Sequence, residues 1–343
     1  MIAFVLRRVL FTLLLVAVTA SSALLLARLA PGDATTELVG ENVSAGARAA
    51  ERARLGLDES LAWAWARWAG RAARLDFGAS WRYGRPVAPL VAERARNTLV
   101  LAGCALLFAT MVGIPLGVAS AREKDRAGNG DTFRFRPSQP RKRKVSPFPA
   151  LVRLGSTLAL STPSLVLALL LAWLAARTGW LPTGGMTSAG AAAAEGAGVL
   201  ARIADLARHL VVPVLALALP VAATLERAQS RAVARALEEP FVRNARARGI
   251  PEARLRWVHA ARAGAGPVLA LYGLLAGALL SGSFAVELVT AWPGLGRLMY
   301  EALLARDVPL VAGCAAAAAL FAGLGTLLGD LLCAWADPRV RHA

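Results

Sequence analysis

The side chains that usually perform chemistry are few in this sequence and stand far apart. The three histidines, His209, His259 and His342, lie in loops or in the tail, and no Ser/His/Asp or metal-ligand spacing connects them. The three cysteines lie inside apolar segments, which favours neither a disulfide framework nor a metal site. The sequence therefore predicts no catalytic residue and no metal site, and the chain is not expected to be an enzyme.

Lysine occurs only at Lys124, Lys142 and Lys144, and none of them stands in the GxxxxGK[ST] pattern whose backbone amides hold phosphates. The chain therefore lacks a phosphate-binding loop of its own. We expect it to bind no cofactor, and any ATP and Mg²⁺ must be used by a partner subunit.

The most informative stretch is the charged segment from Leu237 to Arg262, which lies between two apolar segments. Gly249 can adopt a positive φ and end a helix that begins after Pro240, and Pro251 suits the first turn of a second helix. Apolar residues alternate with arginines along the first helix, so one face can pack on a membrane domain and the other can meet a soluble partner. A helical hairpin that binds nothing is the alternative.

This segment carries a resemblance to a known family. FVRNARARGI followed by WVHAARAGAGPV is similar to the EAA loop of ABC-importer permeases, in the version of the dipeptide/oligopeptide (peptide/nickel) transport family. The similarity runs in order along nearly the whole chain, through LAPGD at 29–33, RLGLD at 54–58, DFGASWRYGRPV at 76–87, NTLVLA at 97–102, GIPLGV at 113–118, STPS at 161–164, GWLPTGG at 179–185, ELVTAWPGLGRL at 287–298, ARDVPLV at 305–311 and DPRVR at 337–341.

The resemblance implies a type I ABC-importer permease that moves di- or oligopeptides by alternating access, and a coupling loop at 229–263 that seats on a separate ATPase. The acidic residue of the EAA pattern is missing, since Arg243, Asn244 and Ala245 stand at the relevant positions. The candidate coupling residues are Glu239, Pro240, Phe241, Val242, Arg243, Asn244, Ala245, Arg248, Gly249 and Ile250, with Gly249 as the turn and Phe241 and Ile250 as apolar anchors. The implied partners are a second, non-identical permease, two ABC ATPase subunits and an external substrate-binding protein.

Composition agrees with a polytopic all-α membrane protein. The 343 residues are 57% hydrophobic with mean hydropathy +0.52, and the net charge of +17 is clustered between apolar runs, which argues against nucleic-acid binding.

A span needs about 20 apolar residues. Six transmembrane helices are predicted, at 9–27, 98–121, 154–176, 210–225, 267–286 and 308–329. The fourth is the weakest because it is short and holds two prolines. For the first, a cleaved signal peptide is the alternative to a retained helix.

Basic residues predict the orientation in a bacterial-type inner membrane. Loops 122–153 and 226–262 carry ten and nine Lys and Arg, whereas loops 177–209 and 287–307 carry three and two. The positive-inside rule therefore places both termini in the cytoplasm.

The predicted organisation has an N-terminal transmembrane helix at 1–30, an external segment at 31–96, a permease domain at 97–336 and a cytoplasmic tail at 337–343. The external segment is expected to form amphipathic helices at 45–55 and 61–75, either as a cap on the membrane domain or as a docking surface for the binding protein. The basic loop at 122–150 is expected to be a flexible solvated loop, or a site for anionic lipid headgroups.

Candidate residues of the translocation pathway are Ser161 and Pro163 of the STPS motif, Ser281 and Gly282 among the small residues of span five, and Glu287 at its end. Charges near the membrane lie close to helix ends and are expected at its interfaces. A secondary transporter would predict charged residues at mid-membrane, and a membrane-bound enzyme would predict clustered polar residues at one face. Neither pattern is visible. Nickel or another small solute remains the alternative to peptides within the importer class.

Overall fold

The computed structural model describes residues 2–30, 44–121, 148–188 and 198–336. Within these ranges the regular elements are helices, and the only extended pairing is an isolated bridge between Ala79 and Pro86. The helices are α1 (Ile2–Leu29), α2 (Ala45–Leu55), α3 (Leu61–Ala72), α4 (Val87–Ser120), α5 (Phe148–Ser161), α6 (Ser164–Thr178), α7 (Val199–Leu237), α8 (Pro240–Ala247), α9 (Glu252–Ala263, π-helical over Leu255–Ala260), α10 (Ala265–Leu269), α11 (Leu271–Val289), α12 (Leu295–Leu304) and α13 (Val308–Ala336).

Four helices of the described chain are long and apolar enough to cross a membrane, or up to six if each of two bent helix pairs counts as one span. The predicted spans correspond to these in order, with α1, α4, α7 and α13 as the unbroken ones. The all-α, six-span prediction is therefore in agreement with the structure. The third and fifth spans are the bent pairs. The third is formed by α5 with α6, and the fifth by α9 with Ala265–Leu280, which covers α10 and the first part of α11.

Two details of the predicted spans are wrong. The third is not continuous from 154 to 176, because the helix breaks at Thr162 and Pro163, where proline lacks an amide proton and disfavours helical geometry in the residue before it. The fourth does not stop at 225. Helix α7 continues unbroken through Pro213 and Pro220 to Leu237.

The chain divides into two compact units. The first comprises Met1–Leu106, Ser164–Leu217 and Tyr272–Leu331, and the second comprises Leu107–Pro163, Ala218–Leu271 and Leu332–Ala343. Unit 1 has buried clusters around Leu298 and Leu310 and around Leu24 and Trp68. Unit 2 has one around Val233, Val242 and Leu255.

The segment predicted to be external folds as two short helices that belong to unit 1. Helix α2 agrees with the predicted bounds, and α3 ends at Ala72 rather than Leu75, which has φ +63° in the following turn. Ser44 and Ser60 cap the two helices by accepting hydrogen bonds from Ala47 and Trp63. Trp68 is buried against Ala20 and Leu24 of α1, so the segment packs as a cap on the first span.

The basic loop at 122–150 lies outside the described residues except for 148–150. The tail at 337–343 also lies outside them.

Candidate coupling loop and a buried polar cluster

The predicted helix–glycine turn–helix is present in unit 2. Pro240 occupies the first turn of α8, and Gly249 has φ +79°, a left-handed conformation that side-chain-bearing residues rarely adopt. The amides of Gly249 and Ile250 donate to the carbonyls of Arg246 and Ala245 at 3.0 and 3.3 Å, which closes the end of the helix. This part of the interpretation agrees with the structure.

An ion pair holds the two sides of the turn together. Arg246 Nε and Nη2 donate to Glu252 at 2.5 and 3.1 Å, a bidentate arrangement that bridges from α8 to α9. The turn is therefore defined both by the backbone of Gly249 and by a side-chain contact across it.

The loop rests on the ends of two long helices. Val242 and Leu255 are fully buried and pack in one cluster with Val118 and Ala121 at the end of α4 and Val233, Ala236 and Leu237 at the end of α7. Ile250 and Ala245 are partly buried against the same cluster. Val242 and Ile250 therefore anchor the loop to its own unit. Ile250, expected as an apolar anchor, packs inward after the turn, against the loop's own unit.

The opposite side of the loop exposes apolar and charged groups. Phe241 is 43% exposed, and Glu239, Arg243, Asn244 and Arg248 are also exposed. An exposed phenylalanine among charges on a short, well-anchored helix is typical of a contact surface for another protein.

Two further exposed apolar residues were missed by sequence reasoning. Trp257 and Val258 are 48% and 52% exposed, on the π-helical part of α9 that packs beside α8. The signal that could have identified them is an adjacent pair of large apolar side chains among Arg254, Arg256 and His259. A π-helical turn shifts the register of side chains, so helical periodicity alone assigned no face to this pair.

A buried polar pair lies close to this cluster within unit 2. Ser120 on α4 donates to Glu226 on α7 at 2.6 Å, and both side chains are buried. The expectation that the helix of the fourth span ends at Glu226 is wrong, because α7 continues for eleven residues beyond it, and Ser120 of α4 contacts its side chain.

Unit 1 holds a second polar cluster built from motifs that are far apart in the sequence. Glu287 is fully buried. Its Oε1 accepts from Thr98 Oγ1 at 2.7 Å, and its Oε2 accepts from the amides of Gly296 and Arg297 at 2.7 and 3.3 Å. The carboxylate therefore caps the start of α12, where free amides and the helix dipole favour an anion.

The Trp292–Gly296 turn closes over this carboxylate. Trp292 is fully buried and donates through Nε1 to the Asn97 carbonyl at 3.1 Å, while Asn97 donates to the Pro293 carbonyl at 2.8 Å. The NTLVLA and ELVTAWPGLGRL motifs are thus joined by hydrogen bonds. These bonds need the polar side chains of Asn97 and Thr98 in the first motif and the side chains of Glu287 and Trp292 in the second.

Asp307 plays the same role at the next helix. It is fully buried, accepts from Ser80 Oγ at 2.5 Å and from the amide of Arg82 at 3.1 Å, and caps α13 through the amide of Leu310 at 3.1 Å. The DFGASWRYGRPV and ARDVPLV motifs are therefore also in contact.

Glu301 joins these motifs at a more exposed position. Tyr83 donates to Glu301 Oε2 at 2.6 Å and Arg297 donates to Oε1 at 3.0 Å. Burial raises the pKa of the Tyr83 phenol, and the hydrogen bond to Glu301 raises it further. Burial alone would raise the pKa of Glu301, but the hydrogen bonds from Tyr83 and Arg297 outweigh it and the pKa is lowered. The Glu301 contribution to stability is thus present above the ordinary carboxyl pKa and is lost as the pH falls.

The candidate pathway residues do not form one cluster within either unit. Ser161 and Pro163 are exposed in unit 2, whereas Gly282 and Glu287 belong to unit 1. Glu287 is fully buried within its own unit. The side chain of Ser281 lies outside what the structure describes. In the described ranges no group of three or more potential metal ligands comes together.

Comparison with known proteins identifies the family of the chain. Residues 143–342 match the family described as "Binding-protein-dependent transport system inner membrane component". The chain is 30% identical to the oligopeptide transport system permease protein AppB of Bacillus subtilis and 30% identical to the glutathione transport system permease protein GsiC of Salmonella paratyphi A, in each case over 100% of both chains. It is also 30% identical to a putative peptide permease protein of Brucella ovis over 92% of both.

Permeases of this kind are transport subunits rather than enzymes, lie as multi-pass proteins in the inner membrane, and act with an ATPase and a binding protein. Both the family match and the full-length relatives agree with the resemblance carried by the coupling loop and the interlocked motifs. The chain belongs to the family of binding-protein-dependent transport system inner membrane components, and is an ABC-importer permease.

Proposed function

We propose that this chain is one of two membrane-spanning subunits of a peptide importer and that residues Glu239 to Ile250 seat on a separate ATPase. The observation that carries the proposal is the two-sided loop. Its buried side, through Val242 and Leu255, rests on the ends of α4 and α7, and its other side leaves Phe241 and several charges free for a partner.

This geometry suggests how movement of the ATPases is transmitted to the membrane helices. When ATP binding brings two ATPases together, a loop seated on one of them moves with it. Because Val242 and Leu255 are packed directly on the ends of α4 and α7, the loop cannot move without displacing those helices. The permease then acts as a bistable element whose state is biased by its partners.

The substrate and partners follow from the relatives by analogy. The relatives named above are described as permeases for oligopeptides, glutathione and peptides, so the proposed substrate is a short peptide delivered by an external binding protein. The proposed assembly holds a second, non-identical permease and two ATPases, which use ATP and Mg²⁺, while this chain binds no cofactor. Both termini and the coupling loop face the cytoplasm.

The coupling role is tested by Gly249→Val, with Gly249→Asn as its matched control. A β-branched residue is strained at φ +79°, whereas Asn enters the left-handed region readily. No atom lies within 4 Å of the added Cβ, so the backbone conformation alone separates the two variants. Phe241→Ala removes an exposed side chain and leaves the buried cluster intact.

Peptide uptake and ATP hydrolysis are measured on the whole importer in proteoliposomes. We expect Gly249→Val and Phe241→Ala to lower uptake per ATP by about tenfold, within the usual range for coupling between two sites, while Gly249→Asn stays near wild type. Wild-type uptake in both Gly249→Val and Phe241→Ala, at normal membrane levels, contradicts the proposal.

A further inference from the structure

The cap of unit 1 contains an open cavity of about 570 Å³ with a charged wall. Its lining includes Arg54, Arg67, Arg71 and Glu59, on α2 and α3 and in the turn between them. A smaller cavity of about 70 Å³ shares Arg67 and Arg71 as walls and adds Arg28 and Trp68. The two cavities share walls and together form one recess, which is lined by four guanidinium groups and one carboxylate.

Two buried polar atoms in these walls lack partners. Trp68 is 6% exposed, and its Nε1–H has no acceptor among the described residues. Glu59 Oε1 accepts from Arg67, but its Oε2 is buried and receives no hydrogen bond from the described residues. An unsatisfied buried donor or acceptor costs about 1–3 kcal/mol, so a ligand group that pairs with either atom would be favoured. Trp68 lines the smaller cavity and Glu59 the larger one.

The neighbouring side chains hold these atoms in place. The Trp68 ring packs on Phe77 with centroids 6.4 Å apart, and Arg28 donates to the Gly56 carbonyl at 3.1 Å. Arg67 is engaged by Glu59. The guanidinium of Arg71 makes no hydrogen bond or ion pair with the described part of the chain, and it lies close to Gly78 at the cavity wall. Arg71 is therefore available for an anion.

We propose that this recess binds a carboxylate carried by a peptide. The carboxylate oxygens accept from Trp68 Nε1–H and from Arg71, and an N–H next to the carboxylate donates to Glu59 Oε2. A guanidinium beside an indole N–H is a strong donor pair for a carboxylate. An anion without a donor, such as chloride or sulfate, would leave Glu59 Oε2 unsatisfied, which favours a peptide over such an ion. The larger cavity accommodates the rest of the peptide.

Two sources can present this chemistry, namely the C-terminus of a free short peptide and an acidic side chain within a protein segment. The surrounding cap attracts either carboxylate through its net positive charge, since residues 44–96 hold ten arginines and five acidic residues. The site stands apart from the coupling role, because no residue of 239–250 lines it.

Binding is measured by calorimetry on the full chain in lipid nanodiscs. The probes are trialanine, trialanine amide, and acetyl-Ala-Glu-Ala-amide, which carries only a side-chain carboxylate. We expect at least one carboxylate probe to bind and the trialanine amide not to bind. Trp68→Phe keeps the ring packing and removes the donor, and Arg71→Gln removes the free guanidinium, so each should weaken binding about tenfold, or about 1.4 kcal/mol.

The matched control is Arg74→Gln, an exposed arginine on the same segment that lines neither cavity, and it should leave affinity unchanged. A preference for trialanine assigns the site to peptide termini, and binding of acetyl-Ala-Glu-Ala-amide assigns it to a protein segment. The proposal is overturned if neither carboxylate probe binds, if the trialanine amide binds equally well, or if Arg71→Gln and Trp68→Phe both retain full affinity.

Discussion

At the scale of single residues, Glu287 shows how burial decides the role of a charge. A carboxylate inside a membrane protein is expensive unless it is fully hydrogen-bonded. Glu287 meets this condition through Thr98 and the amides of Gly296 and Arg297, all supplied by unit 1. Its position near a span end suggested the pathway or the membrane interface, whereas its contacts make it the cap of α12.

We therefore predict that Glu287→Gln weakens the fold rather than transport alone. An amide has one acceptor oxygen where the carboxylate has two, so buried amide or hydroxyl donors are left poorly satisfied, at about 1–3 kcal/mol. The melting temperature in detergent should fall. The control Glu301→Gln, at a partly exposed carboxylate, should lower it less. A pathway role would instead leave melting unchanged and reduce uptake.

At the scale of elements, close helix packing depends on glycines that face the backbone of a neighbouring helix. In unit 2 an added Cβ at Gly117 would lie 2.7 Å from the Glu226 carbonyl oxygen, and one at Gly113 would lie 2.5 Å from that of Ala222. These glycines let α4 approach α7 beside the coupling loop. In unit 1, Gly273 packs against Gly329 in the same way, so this glycine allows two helices of the same unit to approach closely.

We predict that Gly117→Ala destabilises the permease by about 1–3 kcal/mol, because the methyl group meets backbone that cannot move independently. Gly103→Ala on the same helix is the matched control, since nothing lies within 4 Å of its added Cβ. Thermal melting of purified protein and uptake by the importer should both fall for Gly117→Ala alone. Equal melting of the two variants would contradict a tight α4–α7 contact.

At the scale of the whole molecule, the distribution of basic residues predicts which side of the membrane each loop faces. Loops 122–153 and 226–262 carry most of the positive charge outside the cap. We therefore expect the coupling loop to face the cytoplasm and the cap to face outside, as a transporter requires if an ATPase meets one face and a binding protein the other.

This orientation is tested by single cysteines in a background where Cys104, Cys314 and Cys333 are replaced by alanine. Arg248→Cys in the coupling loop and Arg74→Cys in the cap both lie at exposed positions. A membrane-impermeant maleimide added to intact cells should label only the cap cysteine, and both should react after permeabilisation. Labelling of Arg248→Cys from outside would show that the predicted orientation is wrong, and it would also contradict the coupling proposal.

How far the sequence could predict the structure depends on whether the signal is local. The Gly249 turn, the capped helices beginning near Ser44 and Ser60 and the six apolar runs are set by backbone preference and hydrophobic length, and the structure agrees with them. The sequence alone therefore determined the helical membrane architecture and the helix–glycine turn–helix around Gly249. Only the tertiary structure decided which side of that loop is buried, that Glu226, Glu287 and Asp307 are enclosed, and that Trp68 lines a recess, because these depend on contacts between residues distant in the chain.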